Sequence, residues 1–291
     1  MDARQFLGLE PTHNPSRWYL PVVPGLCTGG GFLFGGCGLA AAIVAMEETC
    51  GRPVVWATAQ YLSYARPPSV IDVDVTVATE GRSITQARAV AHVGETEILT
   101  VNAALGRRDL DASGEWSERP DVPGPADCPP RNYRHEGDSI MSRFEVRLAN
   151  GRDLSELDGR PGDGRSALWA RLPEVLEPSS AALAVLGDYV PFGIGQALGL
   201  PAGGNSLDNT LRVERVVPTE WVLLDIRVHA VAGGFGHGVV HLWAEDGTLM
   251  ATASQSTIVR FWDPVPETAV PETAVPATAA SEPPASEETR A

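Results

Sequence analysis

Between residues 39 and 48 apolar side chains fall at Leu39, Ala42, Ile43 and Met46, the three-and-four spacing of one helical face. Most positions between them are also apolar until Glu47, so this predicted helix must be covered on most sides. Gly51 and Pro53 supply the stop. A different rhythm follows. Ile71, Val73, Val75 and Val77 alternate with Asp72, Asp74, Thr76 and Ala78, the period of two of a half-buried strand. Strand-like runs at 56–65, 83–93 and 97–105 surround it, with turns at Glu80-Gly81-Arg82 and Gly94-Glu95. The pattern predicts one helix followed by an antiparallel meander.

The order then partly repeats. Residues 144–148 and 166–172 read as strands, and Pro178-Ser179-Ser180 caps a second apolar helix over 181–198. Runs at 209–215, 221–231, 238–245 and 249–261 form a second meander, with Asp246-Gly247 as a hairpin turn. "VGETEILTVNAAL" overlays "AEDGTLMATASQS", a self-similarity between the halves. The organisation predicted is a first unit over 1–106, a proline-rich linker over 107–136 and a second unit over 137–263. Beyond it, Pro266-Glu267-Thr268-Ala269-Val270 recurs at Pro271-Glu272-Thr273-Ala274-Val275. The segment 264–291 is too polar to offset its ordering entropy and is expected to be a disordered acidic tail.

Composition narrows the function. Hydrophobic residues make up 43% and charged residues 20% of the 291 positions, enough for a real core. The net charge of −15, with no basic stripe, argues against nucleic acid as a partner. No run reads as a membrane span or a signal peptide. Cys27, Cys37, Cys50 and Cys128 have no C-x-x-C spacing and are expected to be reduced, in a cytoplasmic protein. His237 and His241 share a strand face without zinc spacing, so no metal and no cofactor is expected. Gly29 to Gly36 lacks the strand-then-helix context of a dinucleotide fingerprint. No G-x-S-x-G nucleophile elbow is present.

Four stretches carry a resemblance. Phe34-Gly35-Gly36 opens the alanine-rich helix, and Ser206-Leu207-Asp208-Asn209 opens a strand. Thr219 to Leu224 with Ala232-Gly233-Gly234-Phe235-Gly236 forms one hairpin, and Glu245 to Ala251 through Ser254-Gln255 to Arg260 the last. Together they resemble the acyl-CoA thioesterase II (TesB-like) family. The resemblance implies an α+β double hotdog fold, two antiparallel sheets each wrapped around a long helix. It also implies hydrolysis of an acyl-CoA thioester by a positioned water. The implied catalytic residues are Asp208 and Gln255, with His229 where the family carries a hydroxyl and Cys37 where it usually carries glutamine. The overlay sets Ala59 and Ala104 opposite Asp208 and Gln255, so one active site per chain is expected. His229 could act as a base near neutral pH. Gly35 and Gly36, at a helix N-terminus, could bind the thioester carbonyl through backbone N–H groups. A non-hydrolytic acyl-CoA or acyl-carrier binding protein of the same fold is the alternative. Assembly into a homo-oligomer is expected.

Overall fold

The computed structural model describes residues 1–131, 137–175 and 177–262. A short capped helix α1 (Ala3–Leu7) leads into an edge hairpin of β1 (Glu10–Pro11) and β2 (Arg17–Pro21). The predicted apolar helix follows as α2 (Gly35–Cys50). Then come β3 (Val54–Tyr61), β4 (Val70–Glu80), β5 (Ile84–Val93) and β6 (Thr96–Gly106). The second half opens with α3 (Ile140–Arg143), β7 (Glu145–Asn150) and β8 (Arg165–Arg171). Two helices, α4 (Ser180–Leu186) and α5 (Val190–Leu198), precede β9 (Ala202–Ser206) and β10 (Asp208–Val213). The chain's last described strands are β11 (Val222–Ala232), β12 (Phe235–Ala244) and β13 (Leu249–Phe261).

The strands form one antiparallel sheet in the order β1-β2-β4-β5-β6-β3-β10-β13-β12-β11-β8-β7, with β9 beside β13. The halves join where β3 pairs with β10. There Thr58 stands opposite Thr210, and their hydroxyls are 2.6 Å apart. Each half curls around its own helical layer, giving the α+β double hotdog that the family resemblance implied.

Every residue of α2 from Gly36 to Met46 is buried. Small side chains such as Ala40, Ala41, Ala42 and Ala45 let the sheet approach on one side and α4 on another. The helix begins four residues before the predicted 39 because its N-terminus has a tertiary partner, described below. The second helix, predicted as one over 181–198, is two. Pro191 is the cause: in a continuous helix its ring would clash with the carbonyl four residues back, at Gly187. As the second residue of α5 it is tolerated, since no intrahelical N–H is needed there. The break leaves Gly187-Asp188-Tyr189, all buried, as the link between the two helices. The run Ser180–Leu198 is also long and apolar enough to cross a membrane, contrary to the sequence reading, but most of it is buried inside the fold.

Part of the described proline-rich segment packs against the second half. Its Cys128 and Val122 lie on a satellite core of Trp169, Trp221, Leu223 and Trp243 on the outer face of the second meander. The Trp169 indole N–H donates to the Pro123 carbonyl at 2.8 Å. The predicted tail over 264–291 lies outside the described residues.

Candidate active site

The helix break places one carboxylate at the centre of the molecule. Asp188 is only 6% exposed. Its Oδ2 accepts the backbone N–H of Gly36 at 2.7 Å, satisfying one of the free donors of the first turn of α2. Glycine is required on the other side of that bond. A Cβ on Gly36 would meet the Ala184 carbonyl oxygen at 2.9 Å and Val185 Cα at 3.0 Å, so α4 could not cross α2 as it does.

Gln255, 1% exposed on β13, holds the same carboxylate. Its Oε1 accepts the Val190 N–H at 3.0 Å. The amide orientation follows, because a backbone donor must face the oxygen, and Nε2 then donates to Asp188 Oδ1. Nε2 also lies 2.9 Å from Ser206 Oγ, which is 3.5 Å from Asp188 Oδ1. The two helices α2 and α5 therefore direct their N-termini at the two ends of one Asp188–Gln255 pair. Burial is the main influence on Asp188 and pushes it up to about 6, while the donors from Gly36, Gln255 and Ser206 pull the other way. The result is a carboxyl group that changes protonation close to neutral pH.

Gly35 and Tyr61 complete the wall. A Cβ on Gly35 would come within 2.8 Å of Asp188 Oδ2 and 3.0 Å of the Tyr61 hydroxyl. Both oxygens therefore lie against one Cα. The Tyr61 hydroxyl is raised well above its ordinary value, first by burial and then by the charges of Asp188 and Asp208.

Asp208 stands at the first position of β10, opposite Gln60. Its Oδ1 accepts the Ser256 N–H at 2.9 Å, and its charge bears on Tyr61. Among the described hydrogen bonds none joins Asp208 to Gln255; the carboxylate that Gln255 holds is Asp188. The structure thus brings Gly35, Gly36 and Gln255 together around Asp188, while Asp208 acts on Tyr61 through its charge. It does not bring His229 to them. Gln255 stands beside Gly238, which stands beside Val228. His229 falls at the bulge after Val228, exposed, with its ring 5.1 Å from that of His237, which lies opposite Ser256 rather than Gln255. Cys37 is fully buried beneath the cluster, its thiol raised far above the usual range by burial and by Asp188.

Among the described residues no group of three or more His, Cys, Asp or Glu side chains is placed to hold a metal ion. A surface groove of about 1010 Å³, lined by Arg171, Pro173, Val175, Val217 and Thr219, has neither Asp188 nor Gln255 in its wall. The buried polar cluster, not this groove, is the chemically informative feature.

Models of one family match both halves. Residues 23–106 match the acyl-CoA thioesterase N-terminal domain and residues 125–259 its C-terminal domain. A solved structure of a candidate thioesterase from Novosphingobium aromaticivorans is 34% identical, with a TM-score of 0.78 over 86% of this chain and 97% of that one. The chain belongs to the acyl-CoA thioesterase family. Two further thioesterase-family structures share its fold. One is the acyl-CoA thioesterase II TesB2 of Mycobacterium marinum, 20% identical, TM-score 0.71, over 89% of this chain and 98% of that one. The other is a candidate thioesterase II of Thermobifida fusca, 16% identical, TM-score 0.74, over 89% and 99%. No protein of curated function matches the chain.

Within this thioesterase-family chain, sequence reasoning passed over Asp188, Ser206 and Tyr61 as site residues. For Asp188 a signal existed. It is the sole charged residue in the apolar run 181–198, directly after a glycine and three residues before a proline. An ionisable group embedded in such a run is rarely buried without a purpose.

Proposed function

We propose that the protein hydrolyses acyl-CoA thioesters to a carboxylic acid and free CoA, using a water activated at Asp188. The observation that carries this reading is a buried carboxylate, raised to about 6, joined to Gln255 and to the N-terminus of α2. Such a group is largely ionised at neutral pH yet basic enough to accept a proton. Asp188 takes one proton from water as the hydroxide oxygen adds to the thioester carbonyl carbon. The tetrahedral intermediate re-forms its carbonyl as the carbon–sulfur bond breaks. The proton passes from Asp188 to the departing thiolate, and Asp188 is ionised again. Gln255 and Ser206 hold the base in position. Asp208, at the mouth of β10, bears on the same site through Tyr61. This mechanism routes no step through His229, which lies among exposed residues.

The second reading, an acyl-CoA or acyl-carrier binding protein, is favoured by one specific feature. The Gly36 N–H, a natural donor to an oxyanion, is already committed to Asp188. The four free cysteines fit a reducing, cytoplasmic setting, and a homo-oligomer is part of the proposal.

The test is release of free thiol from acyl-CoAs of short to long chain by wild type, Asp188→Asn and Asp208→Asn. Turnover lost in Asp188→Asn supports the hydrolytic reading. Tight acyl-CoA binding with no turnover in the wild type supports the binding protein. Turnover that survives in Asp188→Asn and disappears in Asp208→Asn moves the base to Asp208.

A further inference from the structure

The wall of this site contains polar atoms without a hydrogen bond. The Tyr61 hydroxyl and both amide atoms of Asn209 are sealed from solvent and unpaired. Asn209 lies beside the hydroxyl and tempers its shift, but not at hydrogen-bond geometry. Leaving a hydroxyl buried and unpaired is destabilising, and a native fold keeps such a group where something else completes it.

The location says what that is. Tyr61 ends β3, and its N–H is fixed to the Leu207 carbonyl at 3.0 Å, one residue before Asp208. Its hydroxyl and Asp188 Oδ2 approach the same Gly35 Cα. Thioester hydrolysis needs a base on the water and a donor on the carbonyl oxygen. Asp188 has the first role in the reading above, and it consumes the Gly36 N–H that would otherwise fill the second. We propose that the Tyr61 hydroxyl donates a hydrogen bond to the carbonyl oxygen of the bound thioester and stabilises the oxyanion that forms there. The hydroxyl keeps its proton throughout, since burial and two neighbouring carboxylates strongly disfavour a phenolate. It therefore acts as a neutral donor, and no proton is transferred from it. The inference rests on the hydrolytic reading.

Tyr61→Phe removes one oxygen and preserves the ring. Steady-state kinetics on an acyl-CoA substrate and thermal melting are measured for wild type, Tyr61→Phe and Asp188→Asn. The expected result is a loss of roughly 10²-fold in kcat for Tyr61→Phe, with KM within about threefold and Tm unchanged or raised, because no hydrogen bond is lost in the free protein. A kcat within about twofold of wild type overturns the proposal and leaves the hydrolytic reading standing if Asp188→Asn is inactive. A wild type inert toward every acyl-CoA overturns the hydrolytic reading and this role with it. Should Tyr61→Phe also melt early, 3,5-difluorotyrosine at position 61 decides. It retains the ring and hydroxyl while making the donor more acidic, so a changed kcat supports the role and an unchanged one overturns it.

Discussion

Gln255 holds Asp188 with the nitrogen of its amide and the first N–H of α5 with the oxygen. One side chain thereby ties the last strand of the sheet to the helix break and, through Asp188, to the start of α2. Structure and chemistry meet in this pair, and most of the expected behaviour of the protein follows from it.

Gln255→Ala should weaken both. It leaves the Val190 N–H buried without a partner, a cost of about 1–3 kcal/mol, read as a lower Tm. It also removes a donor that stabilises the ionised carboxylate, so the acid limb of any Asp188-dependent activity should move to higher pH. Differential scanning calorimetry and a pH–rate profile check the two effects separately.

Asp188 should destabilise the fold where it is ionised. Its value rises from 3.8 to about 6 on folding, so the folded state binds the proton more tightly. Stability is then highest below the unfolded value and falls as pH rises through the folded one, by on the order of 3 kcal/mol in all. Asp188→Asn removes this titration. The Tm of the variant minus that of wild type should grow between pH 4 and pH 7, and a difference that stays flat across that range would sink the argument.

The first half of the sheet, at β2, β4 and β5, should respond in the opposite region. His92 Nε2 lies 2.9 Å from Asp74 Oδ2, which also pairs with Arg17. The hydrogen bond to Asp74 raises His92, so its contribution is full below 6.5 and is lost as pH rises through the folded value. Asp74 is lowered, first by Arg17 and then by His92, so its contribution is present above 3.8 and is lost as pH falls through the folded value. Both partners are partly solvated, which limits the effect to roughly 0.2–1 kcal/mol. His92→Gln should therefore cost more Tm at pH 5.5 than at pH 9.

Substitutions at two other sites should separate site from surface. Gly35→Ala places a methyl group against both Asp188 and Tyr61 and should abolish activity even where the protein still folds. His229→Ala alters an exposed ring next to His237, and should leave kcat within about twofold and Tm unchanged. Parallel assays of the two purified variants give the comparison.

The fold was legible because its signals are local. The alternation over 71–79 and the hairpin signal at Asp246-Gly247 need no tertiary information, and Gly247 takes φ of 92° in that turn. Elements that depend on distant partners were not legible. Gly35 and Gly36 are poor helix formers, and they enter α2 because Asp188, more than 150 positions away, caps it. The strand β9 contains Gly203-Gly204-Asn205 and has little intrinsic strand preference; pairing with β13 holds it. Gln255 was found as a family residue, but its partnership with Asp188 depends on a helix break that periodicity alone reads through.

The most direct test is the pH dependence of kcat/KM for acyl-CoA hydrolysis between pH 4.5 and 9, for wild type and Asp188→Asn. The account predicts a wild-type rate that climbs to a plateau with its midpoint near 6, and a variant whose residual rate shows no such limb. A midpoint near the ordinary aspartate value, or a variant that retains the wild-type profile, would contradict it.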